Sequence, residues 1–100
     1  MPQENTNLRE RSRNDIKEPK KYCVVFHNDD FTPMDFVVML LMAIFNKTTE
    51  EAEHLMMKVH MEGMAVVGTY SYDIAMTKAS YATELSRSEG FPLRITVRPA

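Results

Sequence analysis

This 100-residue chain has little cysteine, little glycine and no long apolar run. Its one cysteine, Cys23, excludes a disulfide within the chain and fits a reducing compartment. The longest apolar stretch, FVVMLLMAIF from Phe36 to Phe45, is too short to span a bilayer and suits a buried helix. The opening residues, MPQENTNLRERSRNDIKEPKK, contain no apolar h-region, so no signal peptide and no membrane association are expected. Positive charge is not in excess: 12 Lys and Arg stand against 14 Asp and Glu, for a net charge of −2. That leaves no electrostatic footprint for nucleic acid. None of G-x-S-x-G, G-x-x-x-x-G-K-[ST] or H-E-x-x-H is present.

What is present allows one small domain. Apolar residues make up 44% of the chain, enough for a core if helices and sheet pack efficiently. The chain also holds 9 methionines. Methionine fills irregular gaps in cores and recurs at adaptable binding surfaces, and core filling accounts for most of them here. Residues 1–20 are almost free of apolar side chains and mix both charges, so they are expected to form a flexible N-terminal extension. Residues 21–100 form the core domain. From residue 22 onward, six basic groups face ten acidic ones, so the folded part is acidic.

Along that domain, the β-branched and aromatic stretch Tyr22 to Phe26 reads as a buried strand. Thr32, Pro33 and Asp35 read as N-cap, N1 and N3 of a helix reaching about Phe45. That helix is apolar around nearly its whole circumference, so it is either deeply buried or lends a side to a ligand. Thr48 and Glu51 form a capping box that opens a second helix, which Gly63 can end in a left-handed cap. Ala52, Leu55, Met56, Val59 and His60 form its apolar stripe. Met64 to Tyr70 is a second strand. A third helix opens at Ser71 to Asp73 and closes near Gly90. Leu93, Ile95 and Val97 then alternate with Arg94, Thr96 and Arg98 as a half-buried strand. The order β-α-α-β-α-β implies an α+β sandwich, a three-stranded antiparallel sheet packed against three helices.

Two features do not follow from packing alone. The first strand stops at Phe26 and is followed by His27, Asn28, Asp29 and Asp30. Asn and Asp favour turns, so this is either a turn or a place where something positive binds. His60 is either a core histidine with a satisfied hydrogen bond or a group at the rim of an apolar pocket. A metal set of His27, Asp29, Asp30 and His60 lacks the spacing of any metal motif, and neither metal nor cofactor is expected. Enzymatic roles cannot be filled, because Cys23 sits inside a strand and no nucleophile stands beside an oriented base. Acceptors beside an apolar pocket suit a peptide N-terminus, whose α-ammonium is mostly charged at neutral pH.

The stretches FHNDDFTPMDFVVMLL and LMMKVHMEGMAVVGTY resemble the ClpS family, adaptors that bring N-degron substrates to a Clp AAA+ unfoldase. The resemblance runs from about Tyr22 to Val97. It implies the sandwich reached above, a fold shared with the C-terminal domain of the ribosomal stalk protein. It also implies that Asn28, Asp29 and His60 hold the ligand's α-amino group, with Asp30 and Thr32 in the supporting turn. Met34, Val37, Met56, Val59 and Leu93 match the pocket wall. Met34 matches the methionine that narrows the entrance against β-branched first residues. Asp73 and Lys78 match the contact with the N-terminal domain of the unfoldase, while Met76 stands where the family pattern is acidic. The implied ligands are proteins beginning with Leu, Phe, Tyr or Trp, and the implied protein is a monomeric, non-enzymatic adaptor of the bacterial cytoplasm. The alternative is an interaction domain of the stalk type without an N-terminus pocket.

Overall fold

The computed structural model describes residues 20–100. The extension expected over residues 1–20 lies outside the described residues, apart from Lys20. The described chain forms β1 (Lys21–His27), α1 (Met34–Ala43), α2 (Thr49–Glu62), β2 (Met64–Ser71), α3 (Tyr72–Ser88) and β3 (Arg94–Pro99). The three strands make one sheet in the order β2-β1-β3, and both pairings are antiparallel. The expected order and sheet are therefore found.

The most apolar strand takes the central position. Val24 and Phe26 of β1 point toward the helices and join Leu40, Leu41, Phe45, Ala65 and Val67 in the core. The Phe26 and Phe45 rings meet edge to face with centroids 5.4 Å apart. Alternation sends Lys21, Cys23, Val25 and His27 to the other face, where Arg98, Thr96 and Arg94 are the cross-strand partners of Cys23, Val25 and His27. The register of β1 against β2 slips between Val24 and Val25, because Val67 has no partner. Gly68 sits at this irregularity. A Cβ there would lie 2.6 Å from Cζ of Tyr70, so any side chain at that point would have to displace the Tyr70 ring.

The ends of the helices differ in how they are made. Both bonds of the Thr48–Glu51 capping box form, and Gly63 closes α2 at φ 92°. The start of α1 departs from expectation. Its N-cap is Pro33, with no side-chain cap, and Thr32 lies outside the helix. The Thr32 hydroxyl instead donates to Asp29 Oδ2 at 2.8 Å, and a bond to a carboxylate is stronger than one to a neutral amide. The C-terminus of α1 comes two residues earlier than expected, at Ala43, with Ile44 as C-cap. Lys47 N–H turns back to the Leu41 carbonyl at 3.1 Å, and Asn46 adopts φ 58° to allow it. The Ile44 carbonyl receives the Lys78 ammonium from α3 at 2.7 Å. The helix is not deeply buried on all sides. Phe36, Val37, Leu40 and Leu41 are buried, whereas Met34, Met39 and Met42 are exposed.

Candidate functional site

One backbone hydrogen bond brings the two unexplained features together. Asn28, the first residue after β1, donates its N–H to the Gly63 carbonyl at 2.9 Å. Gly63 is the left-handed cap of α2, and His60 lies in the last turn before it. The polar turn is thus fixed against the end of the helix that carries His60. The two segments are about thirty residues apart in sequence and adjacent in space.

Between them opens a cavity of about 220 Å³. Asn28, Asp29, Asp30, Thr32, Met34, Val37, Met56, Val59, His60 and Leu93 all line it. These are all the residues that the sequence nominates for ammonium binding, supporting turn and pocket wall. His27 lines it as well, a residue that the sequence suggests only as a metal ligand. Val59 and Leu93 are 3% and 1% exposed, and with Val37 they form the apolar floor. Asn28, Asp30, Met34 and His60 are exposed at the rim. His60 is therefore not a core histidine.

Asp29 organises the turn. Its Oδ1 accepts from the N–H groups of Phe31 and Thr32, both at 2.8 Å, and its Oδ2 accepts from the Thr32 hydroxyl. Partial burial pushes the carboxyl pKa up and is the largest single influence. The hydrogen bonds from Thr32 and Phe31, with the nearby Arg87 guanidinium, together outweigh it and hold the group below the ordinary value of 3.8. A carboxylate offers about four acceptor positions, and three are taken. The turn reading and the binding reading therefore share one side chain: Asp29 stays ionised, fixed in place, with a lone pair to spare.

Leu93 is held just as firmly. Arg87 Nη1 donates to the carbonyls of Phe91 and Leu93 at 3.0 and 2.8 Å, which fixes the bend entering β3. Phe91 packs edge to face on Phe36 of α1 at 4.8 Å. His27 Nε2 lies 2.8 Å from Thr96 Oγ1 on the helix-free face. Burial, then Arg94 and Arg98, lower the His27 pKa below 6.5. Among the described residues, no group of three or more His, Cys, Asp or Glu side chains is placed to hold a metal ion, so the set of His27, Asp29, Asp30 and His60 is not assembled.

Asp73 and Lys78 lie elsewhere. They line a larger groove, about 930 Å³, between α3 and the end of α1. Size alone does not make it the chemical site, since only the smaller cavity sets carboxylate, amide and imidazole groups around an apolar floor. Lys78 also braces the fold. Besides its bond to Ile44, its ammonium stands 5.4 Å from the Tyr70 ring centroid and 5.9 Å from that of Phe45.

Fold and cavity define a small α+β recognition domain with one acceptor-rimmed, side-chain-sized pocket. A family model for the ATP-dependent Clp protease adaptor protein ClpS matches residues 17–96, and the chain belongs to the ClpS family. Curated relatives agree. The ClpS adapter protein of Treponema denticola is 55% identical over 80 residues, which cover 80% of this chain and 79% of that protein. That of Vibrio atlanticus is 46% identical over 92 residues, covering 92% and 87%. Among solved structures, Agrobacterium tumefaciens ClpS2 bound to L-phenylalaninamide superposes with a TM-score of 0.81 at 43% identity, over 83% of this chain and all of that one.

Proposed function

We propose that the protein is an adaptor that captures proteins by a free N-terminus beginning with Leu, Phe, Tyr or Trp and passes them to a Clp AAA+ unfoldase for degradation. The observation that carries this reading is the cavity itself, with Asn28, Asp29 and His60 at the rim of a floor made by Val37, Val59 and Leu93. The complex of Agrobacterium ClpS2 with L-phenylalaninamide, an aromatic amino acid with a free α-amine, supports it.

The chemistry follows from the two halves of the site. The spare lone pair of Asp29, the Asn28 side-chain oxygen and an imidazole nitrogen of His60 receive the three N–H bonds of the ammonium. The first side chain descends onto the apolar floor. At about 220 Å³ the cavity holds one side chain and is smaller than the usual pocket for a drug-sized ligand. Burying that side chain contributes about 1.5–3 kcal/mol, and each hydrogen bond to the ammonium about 1.5–3 kcal/mol. After the costs of association, micromolar or somewhat tighter binding results. Met34 narrows the entrance and excludes β-branched first residues. Asp73 and Lys78 meet the N-terminal domain of the unfoldase from the opposite groove. The protein acts as a monomer in the cytoplasm, by binding and not by turnover, with no metal or cofactor. A stalk-type interaction domain would have no use for this cavity.

The test is fluorescence anisotropy with labelled peptides of one sequence beginning Leu, Phe, Arg or acetyl-Leu. Binding of Leu and Phe alone is expected. Equal binding of all four, or none, would discard the pocket reading.

A further inference from the structure

Charges of both signs stand close to the cavity. Asp29 and Asp30 line it. Arg94 does not line it, but it follows the wall residue Leu93 and its cross-strand partner is His27, another wall residue. Arg98 presents its side chain on the same face four residues further along β3, opposite Cys23. At about 3.3 Å per residue that is roughly 13 Å. Both arginines are exposed, and no strand of the sheet contains an Asp or Glu. Every Asp and Glu of the described chain lies in the turn after β1, in the helices or at their ends.

We propose that the strip formed by His27, Arg94 and Arg98 is a second specificity element, which receives acidic side chains in the segment that follows the pocket-bound first residue. The inference rests on the pocket reading above and narrows its ligand class to hydrophobic N-termini followed by carboxylates. The ligand's own ammonium offsets one of the two carboxylates at the mouth. The guanidinium groups are left to meet the chain beyond it. Arg94 adjoins the cavity, so it faces roughly the third residue, and a span of about 13 Å carries an extended chain about four residues further, to Arg98. In an extended segment alternate side chains share a face, so carboxylates two or four positions apart can address both guanidinium groups.

The experiment uses the full chain and four Leu-initiated peptides of equal length. In three of them, positions three to seven are neutral, Glu-rich or Lys-rich; the fourth is the Glu-rich peptide with an acetylated N-terminus. The Glu-rich peptide is expected to bind about three- to tenfold more tightly than the neutral one at low salt, and the Lys-rich one more weakly. The preference should fade at about 0.5 M salt, where screening is nearly complete within a few ångströms. Combining Arg94→Glu with Arg98→Glu should reverse the order, and Arg94→Gln with Arg98→Gln should abolish it. The Gln pair should change binding of the neutral peptide far less than that of the Glu-rich one. The acetylated peptide should not bind. Charge-blind binding, a preference for the Lys-rich peptide, or a preference that survives both double variants would overturn the strip with the pocket intact. If no Leu-initiated peptide binds, the pocket reading falls and the strip falls with it.

Discussion

On the proposed function Asp29 has two roles, bracing the turn and receiving the ammonium, that mutation can separate. Asp29→Asn keeps an acceptor for the Phe31 and Thr32 N–H groups but loses the charge. It should cost about 1 kcal/mol or less of stability and weaken binding of a Leu peptide at least tenfold, as read by thermal unfolding beside anisotropy. Asp29→Ala orphans both N–H groups and should lose binding and about 1–2 kcal/mol of stability together. Equal stability of the two variants would show that the turn does not depend on the carboxylate. The pKa directions add a pH signature. The folded Asp29 carboxyl lies below 3.8, so its contribution is present above that value and is lost as pH falls through the folded value. The folded His27 imidazole lies below 6.5, so the folded state resists protonation and stability declines as pH falls through 6.5. His27→Gln should remove the decline of the urea midpoint that begins as pH falls through 6.5, while leaving the acid limb of the carboxylates in place. Met34, 43% exposed on the cavity wall, gives a third test: Met34→Ala should admit Ile- or Val-initiated peptides. Unchanged selectivity would remove Met34 as the gate.

At the scale of elements, α2 shows why geometry at a helix end matters for the site. A Cβ added at Gly63 would meet no atom within 4 Å, so Gly63→Ala carries only the penalty of its left-handed φ, about 1 kcal/mol. Thr48→Ala removes the cap at the other end of the same helix for a similar loss. The two should lower the melting temperature alike, yet Gly63→Ala should raise the dissociation constant of a Leu peptide more, because Asn28 hangs on the Gly63 carbonyl. If both variants bind equally well, that joint does not position the pocket. The elements are largely legible in the sequence. The capping box, the glycine cap and the alternation of β3 are local patterns, and each marks its element without help from the rest of the chain. The start of α1 is not legible in this way, because Thr32 lies three residues after Asp29 and three before Asp35. Spacing alone cannot tell a hydroxyl that donates to one from a hydroxyl that caps toward the other.

For the molecule as a whole, the residues of the cavity wall are legible through family resemblance, but their assembly depends on contacts that no local pattern encodes. The Asn28–Gly63 bond, the His27–Thr96 pair and the Lys78–Ile44 bond each join residues more than thirty positions apart. They depend on strand register and helix packing, which are settled only when the sheet closes. The ammonium model also makes a claim about the complex. Binding should decline above about pH 8 as the ligand's amine, with an ordinary pKa near 7.7–8.0, loses its proton. A flat profile to about pH 10 would contradict it.

The Lys78–Ile44 bond connects the two cavities through α1. Lys78 lines the larger groove, and the carbonyl it holds ends the helix whose first turn carries Met34 and Val37 into the smaller one. If a partner in the larger groove drew the ammonium away, that helix end would lose its tie; were α1 also to tighten around a ligand in the smaller cavity, linkage would require each to change the other's affinity by the same factor.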